Sequence, residues 1–151
     1  LVQVGEGVLG DPVEMASLAA IGWKFDPSTN ISAPAPPKEG DPPADSAQVQ
    51  ILHRYHFSSR LQRMSVLAAI RDSRRAPARN VVLTKGSPEM IQTLLKSTPP
   101  LYHEAYVGMA ERGMRVLALA SRTFDDAPAK GGKAPAREEV EKDLEFVGFV
   151  A

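Results

Sequence analysis

The stretch LTKGSPEMI, residues 83–91, decides how the centre of this chain folds. The apolar residues that lead into it predict a strand over 80–84, which delivers Lys85. The Ser-Pro-Glu that follows is typical of a helix start, and we expect that helix to reach residue 95. Gly86 lies between the two elements and permits a close approach of the backbone. A lysine beside a helix N-terminus favours an anionic ligand.

A second polar turn lies upstream, in RYHFSSRLQRMSVLAAI, residues 54–70. Residues 49–57 and 64–70 are rich in β-forming side chains and predict two strands. A cation-containing turn over 58–63 joins them, with Phe57 at its entry. The aromatic ring is therefore either a core residue or a stacking surface beside the turn.

Two further segments carry a charged residue at the start of an element. RGMRVLALA, residues 112–120, places Arg115 at the beginning of a predicted strand. GDPVE, residues 10–14, places Glu14 in the first turn of a helix. Together with the ring and the lysine, they offer an aromatic face for a purine, cations for phosphate and an acid for an exocyclic amine. Taken singly, each residue also has an ordinary structural explanation.

The order of elements predicts an α+β fold with a mainly antiparallel β-sheet flanked by helices. The remaining patterns predict helices over 11–21, 100–112 and 137–143 and strands over 114–121 and 144–150. We expect a single domain over residues 1–151. Two stretches rich in proline, glycine and polar residues, 26–47 and 125–136, are expected to be flexible loops.

Composition excludes several functions. Lys+Arg and Asp+Glu each total 18, and a net charge of zero argues against a nucleic-acid partner. The absence of cysteine excludes a disulfide framework and a thiolate metal site. His53, His56 and His103 lack the spacing of zinc ligands, so we expect them to be structural or exposed. We predict no catalytic residue and no metal site.

In chain order, GDPVEMASL, FSSRLQRMSVL, LTKGSPEMI and RGMRVLALA resemble the four signature stretches of the nucleotide-binding domain of P-type ATPases. The resemblance covers residues 5–151, with the two loops as variable insertions. HRYHFSSRLQRMSVLA and YHEAYVGMAERGMRVLALA look most like the type-V class, in particular its A branch of endoplasmic-reticulum pumps. The resemblance implies a fragment of a larger membrane translocase, at its cytosolic face.

The resemblance also implies a role for each residue around the base. Phe57 would stack on the adenine, and Glu14 would lie near its amino group. Lys85 would line the slot beneath the ring and reach toward the ribose and phosphates. Gly86 would let the backbone approach the base, and Leu117 would add an apolar wall.

The phosphate side departs from the family pattern at one position. By the resemblance, Arg115 would contact the phosphates. The family commonly has lysine where this chain has Gln62, which can donate a hydrogen bond but supplies no charge. Arg63 is adjacent, but alternation along a strand points it the other way. We expect weaker discrimination between ATP and ADP than in relatives that keep the lysine.

The implied ligand is ATP, with Mg²⁺ used by the full-length protein and not bound by this domain alone. The implied partners are the phosphorylation and actuator domains of the same polypeptide. The family's phosphorylated aspartate lies in D-K-T-G-T, which does not occur here. We therefore expect this fragment to bind nucleotide without hydrolysing it. We also expect the fragment to be monomeric.

Two other functions are compatible with parts of the sequence. The first is a protein-interaction module acting through the Pro-rich run APAPPKEGDPP. The second is a small autonomous phosphatase or kinase, but no nucleophile or metal constellation in the sequence supports it.

Overall fold

The computed structural model describes residues 2–4, 7–9, 12–35, 47–73, 75–125 and 133–151. They form two compact units. The first unit takes the chain up to Ile51 and Ala69–Arg79, and the second unit takes Leu52–Ala68 and Asn80–Ala151. That residues 1–151 act as one domain stays a prediction.

The described residues contain nine strands and four helices. In chain order they are β1 (Val2–Val4), β2 (Gly7–Leu9), α1 (Pro12–Ala20), β3 (Trp23–Asp26), β4 (Ile31–Pro34), β5 (Gln48–Ser58), β6 (Arg63–Arg71), β7 (Arg79–Gly86), α2 (Pro88–Gln92), α3 (Tyr102–Ala110), β8 (Leu117–Thr123), α4 (Arg137–Val140) and β9 (Glu145–Val150).

Seven strands form one sheet in the order β3-β4-β5-β6-β7-β8-β9, and β1 pairs with β2 separately. The pairs β3–β4, β4–β5, β7–β8 and β8–β9 are antiparallel. The predicted α+β fold with a mainly antiparallel sheet is therefore confirmed. Within the described part of the chain, no helix combines the length and the apolar character that crossing a membrane requires.

Part of the segment 26–47, predicted to be a flexible loop, is a β-hairpin. One carboxylate oxygen of Asp26 accepts hydrogen bonds from the backbone N–H of Ser28 (2.9 Å) and from its hydroxyl (2.6 Å). Asn30 adopts a left-handed φ of 57°, and β4 follows directly. The loop prediction is wrong here because polar residues also close tight turns through their side chains. Residues 36–46 lie outside the described part of the chain.

Several element boundaries differ from the prediction. The strand predicted from residue 114 begins only at Leu117, so Arg115 precedes it. The helix predicted to reach residue 95 ends at Gln92, because Leu95 forms a parallel bridge with Leu144 instead. The third helix starts two residues later than expected and α4 ends three residues earlier.

The end of the predicted loop 125–136 is held by a hydrogen bond. The hydroxyl of Tyr55 donates to the carbonyl oxygen of Pro135 at 2.9 Å. That residues 125–136 form a flexible loop stays a prediction, and residues 126–132 lie outside the described part of the chain.

The core of the second unit draws on its strands and on α2, α3 and α4. Tyr102 is central to it: its ring meets Phe146 edge-on with a centroid distance of 5.0 Å, and its hydroxyl donates to the carbonyl oxygen of Pro88 at 2.9 Å. Burial raises the pKa of Tyr102 to about 12, so the hydroxyl keeps its proton at neutral pH. The most deeply buried large side chains include Leu67, Ile91, Leu144, Val82 and Val140.

Leu144→Ala tests this core. Leu144 has no exposed surface, and its backbone bonds to Leu94 and Lys96 tie the end of α4 to the chain after α2. We expect the substitution to lower the free energy of unfolding by about 2–5 kcal/mol, because it removes buried methyl groups and leaves a cavity. Urea denaturation followed by circular dichroism measures this. Val147→Ala, whose side chain is 61% exposed, is the control and should change stability by less than about 0.5 kcal/mol. Equal losses in the two variants would contradict this description of the core.

Candidate functional site

Two of the polar segments identified in the sequence meet in the second unit. The turn between β5 and β6 lies against the junction of β7 and α2. The backbone N–H of Ser87 donates to the carbonyl oxygen of Gln62 at 3.0 Å, and its hydroxyl lies 3.4 Å from the side-chain oxygen of Gln62. Gln62 has a left-handed φ of 47°, which turns the chain just before β6 begins.

Gly86 is required by this contact. A Cβ atom at this position would lie 2.6 Å from the carbonyl oxygen of Gln62 and 2.7 Å from the Cβ atom of Arg63. Non-bonded carbon and oxygen atoms do not approach so closely without displacement of the backbone. The sequence correctly predicted a close backbone approach at Gly86. In the structure the approaching group is the turn, and an approach to a base remains a prediction.

Lys85 and Leu117 lie on the same face of the sheet. In the antiparallel pair β7–β8, Lys85 is opposite Leu119 and Gly86 is opposite Ala118. Opposed residues point to the same face, as do residues two apart on one strand, so Leu117 follows Leu119 on the face of Lys85. Both Lys85 and Leu117 are half-buried. The structure thus brings together the proposed slot lysine and the proposed apolar wall.

Phe57 is the penultimate residue of β5, just before the turn, and 61% of its surface is exposed. A phenylalanine that is mostly exposed contributes little to a core, so the core interpretation left open by the sequence does not fit. Arg115 is exposed and lies two residues before β8. Position and exposure leave both side chains accessible to a ligand.

Glu14 belongs to a different unit from the other candidate residues. It lies in the first turn of α1, as predicted, and is half-buried. The first unit contains Glu14, and the second contains Phe57, Gln62, Lys85, Gly86, Arg115 and Leu117. Its predicted place near an adenine amino group therefore stays a prediction.

The helix after Gly86 is shorter than the sequence predicted, which weakens one argument for anion binding. Ser87 caps it as expected, accepting from the backbone N–H of Met90 at 3.4 Å. With five residues, however, α2 aligns fewer peptide dipoles than the predicted helix. An anion site at this junction would therefore depend more on side-chain cations than the sequence predicted.

A buried charge network lies beside the turn. The side chain of Glu141 is 1% exposed, and its two carboxylate oxygens accept from different arginines: Arg63 Nε at 2.7 Å and Arg137 Nε at 2.8 Å. Ser65 adds a hydroxyl donor at 2.6 Å and is itself 2.9 Å from the hydroxyl oxygen of Thr84. Arg63, the first residue of β6, thus points toward Glu141, whereas Gln62 precedes the strand and is exposed, so strand alternation does not relate the two side chains.

Arg137 also holds the backbone on both sides of the turn. Its Nη2 atom donates to the carbonyl oxygens of His56 at 3.1 Å and Arg63 at 3.2 Å, with Tyr55 more distant at 3.4 Å. The strand that enters the turn and the strand that leaves it are therefore tied to one guanidinium group.

The carboxyl group of Glu141 is ionised at neutral pH. Burial by itself raises its pKa, but hydrogen bonds from Ser65, Arg137 and Arg63 outweigh burial and lower the pKa below the ordinary 4.5. Sequence patterns predicted nothing of this network beyond a short charged helix. The only signal was the i, i+4 spacing of Arg137 and Glu141, which is common on exposed helices.

The histidines do not form a metal site in the described part of the chain. His53 and His56 are exposed, and the ring of His53 meets that of Tyr55 edge-on at 4.7 Å. No group of three or more His, Asp or Glu side chains among the described residues is arranged to hold a metal ion.

Comparison with known proteins gives a consistent result across the chain, although no family model matches it. The chain is 38% identical over 149 residues to the probable manganese-transporting ATPase PDR2 of Arabidopsis thaliana. It is 37% identical over 158 residues to the endoplasmic reticulum transmembrane helix translocase spfA of Aspergillus fumigatus, and 36% identical over 153 residues to the corresponding translocase of Schizosaccharomyces pombe. Each match covers 99% of this chain.

The chain belongs to the type-V P-type ATPases. It spans 12% of the length of each of these three relatives. The predicted resemblance to P-type ATPases, and to their type-V class, is confirmed.

Gly86→Ala tests the contact between the turn and the β7–α2 junction. The added methyl group has to displace backbone atoms, so we expect the free energy of unfolding to fall by about 1–3 kcal/mol. Gly148→Ala in β9 is the matched control, because a Cβ atom there has no heavy atom within 4 Å. Urea denaturation of both variants measures the difference. A Gly86 variant as stable as the Gly148 variant would show that the two segments are not in close contact.

Proposed function

We propose that this segment of a type-V P-type ATPase is its nucleotide-binding domain. It holds the adenosine part of ATP and delivers the γ-phosphate to the phosphorylation domain of the same polypeptide. The observation that carries the proposal is the exposed ring of Phe57 beside a turn that packs on the Lys85–Gly86 strand end. This places an aromatic surface and a cation at one end of the sheet, on elements fixed by backbone hydrogen bonds.

Each candidate residue has a proposed role that follows from its position. Phe57 stacks on the adenine, and Lys85 and Leu117 form the side of the slot from one face of β7 and β8. Arg115, exposed ahead of β8, contacts the phosphates. Gln62 lies next to Ser87 and offers the phosphates a hydrogen bond from an uncharged side chain. For Glu14, a place near the adenine amino group is implied by the family resemblance alone.

The chain is proposed to bind nucleotide and not to hydrolyse it. Phosphoryl transfer needs a nucleophile in line with the γ-phosphate and metal ions to neutralise the developing charge. D-K-T-G-T is absent from these 151 residues. In the full-length protein, Mg²⁺ and the phosphorylated aspartate would come from the phosphorylation domain, and the actuator domain would complete the cycle.

The names of the relatives suggest where the full-length protein works. Three of the matched proteins are called endoplasmic reticulum transmembrane helix translocases. We propose that this domain lies at the cytosolic face of the endoplasmic reticulum membrane, within a pump of that kind. The isolated domain should bind weakly, with a dissociation constant of about 0.1–3 mM, because it lacks the γ-phosphate and Mg²⁺ contacts of its partner domain.

Titration with ATP, followed by two-dimensional amide NMR with and without Mg²⁺, tests the proposal. We expect saturable shifts around Phe57, Lys85 and Arg115 that Mg²⁺ changes little. Phe57→Ala should raise the dissociation constant by about tenfold, since stacking of a base on an aromatic ring contributes about 1–3 kcal/mol.

The control for Phe57→Ala is Leu52→Ala, which shortens another exposed apolar side chain of β5, 41% exposed. It should leave ATP binding unchanged, and neither variant should unfold the protein. Intact ATP binding by a folded Phe57→Ala protein would refute stacking. If amide signals of the unmodified protein do not shift at about 10 mM ATP, the proposed function is refuted. If amide signals of the run APAPPKEGDPP shift when a domain that binds proline-rich peptides is added, the interaction module is favoured.

Gln62→Lys tests the phosphate side. A lysine adds one positive charge at an exposed position, where an ion pair contributes about 0.2–1 kcal/mol. We expect ATP affinity to rise up to about fivefold at low ionic strength and ADP affinity to rise less, because ATP carries the extra phosphate. Gln50→Lys adds the same charge to an exposed position of the first unit and should change neither affinity. Equal gains for ATP and ADP would show that Gln62 does not face the γ-phosphate.

A further inference from the structure

The two shorter backbone hydrogen bonds of Arg137 fall on peptide groups on either side of the β5–β6 turn. The carbonyl oxygen of His56 belongs to the peptide plane that joins His56 to Phe57, and the carbonyl oxygen of Arg63 belongs to the first peptide plane of β6. A peptide group is planar and rigid, so a hydrogen bond to its oxygen restricts the orientation of the plane and the position of the Cα atom that follows. One side chain therefore sets the entry and the exit of the turn.

Phe57 depends on this backbone support more than a core residue would. Most of its surface is exposed, so packing around the ring does little to select one position. A stacking ring is effective only when it is already held in the geometry of the complex, because ordering it on binding costs affinity.

We propose that Arg137 is a positioning residue for adenine recognition: it holds the peptide planes around the turn and so places the ring of Phe57, without itself contacting the nucleotide. This inference rests on the proposed nucleotide-binding function. It assigns a role in binding to a residue that lies in none of the four signature stretches and that sequence patterns place on a short charged helix.

Glu141 makes this support rigid. Its Oε1 atom accepts from Arg137 Nε at 2.8 Å, and its other oxygen accepts from Arg63 Nε at 2.7 Å. The Arg137 side chain is 19% exposed and is engaged by the carboxylate that it shares with Arg63, so its guanidinium group is poorly placed to attract phosphate from solution. Its planar fork, by contrast, is well suited to reach a carboxylate and backbone carbonyls at once.

The distinction between positioning and charge attraction gives the test. Arg137→Lys keeps the positive charge beside Glu141 but loses the fork that reaches the carbonyl groups, and Arg137→Gln loses both. Titrations with ATP and with adenosine, which carries no phosphate, are followed by amide NMR on the 151-residue protein. Positioning predicts that both variants raise the dissociation constants for ATP and adenosine by the same factor, about fivefold, because both ligands use the ring.

A second measurement separates positioning from a general loss of stability. In the nucleotide-free variants we expect the amide signals of residues 57–63 to shift and their backbone order parameters to fall. Phe124→Leu is the control, since Phe124 is a buried core residue next to the opposite end of the β7–β8 pair, where Val81 faces Thr123. It should lower the unfolding midpoint and leave both dissociation constants unchanged while the protein is folded.

Each outcome decides between the possibilities. Affinities unchanged in both arginine variants, with ATP still bound by the unmodified protein, would overturn the positioning role and leave the proposed function intact. A loss of ATP affinity alone, restored by lysine, would show that Arg137 acts as a charge and would overturn positioning. Absence of binding by the unmodified protein would overturn the proposed function and this inference with it.

Discussion

The buried carboxylate of Glu141 is the interaction on which the geometry of the second unit depends. It joins Arg63 at the start of β6, Arg137 at the start of α4 and Ser65, which in turn meets Thr84 on β7. Removing one partner from such a network leaves an uncompensated charge and typically costs about 3–5 kcal/mol, whereas replacing the whole network with apolar residues is often neutral. Its contribution is therefore to specify one arrangement of three segments that are far apart in sequence.

This arrangement divides the second unit into a rigid support and an open surface. Buried groups fix the backbone of the turn and of the β7–α2 junction, whereas Phe57, near the end of β5, and Arg115, ahead of β8, are exposed. A domain that passes a nucleotide on and then releases the product benefits from few, weak contacts on a support that does not move. A rigid backbone and weak ligand contacts are compatible here because buried residues provide the first and exposed residues would provide the second.

The sequence predicted the features that depend on local pattern. Alternating β-forming residues located β5, β6 and β7 to within one or two residues, and the strand–glycine–serine–proline order located Gly86 and α2. Sequence patterns missed the hairpin of β3 and β4. Residues such as Asp26 and Asn30 are common both in tight turns and in irregular loops, so their presence does not distinguish the two. Sequence patterns also missed Glu141, whose partner Arg63 is 78 positions away and gives no local signal. Gly86 is a similar case. The need for glycine at this position was predictable from the local pattern, but the group that approaches it, the backbone at residues 62 and 63, is distant in sequence and was not.

The contact between Gly86 and position 62 has an evolutionary consequence. Gly86 and Ser87 meet the backbone oxygen of residue 62, so folding depends on the path of the chain there and much less on which side chain it carries. With a left-handed φ, the position disfavours β-branched residues but accepts long polar ones. Lysine and glutamine are both of that kind. Under the proposed function, natural selection can therefore exchange them to adjust how tightly phosphates are held, with little effect on whether the domain folds.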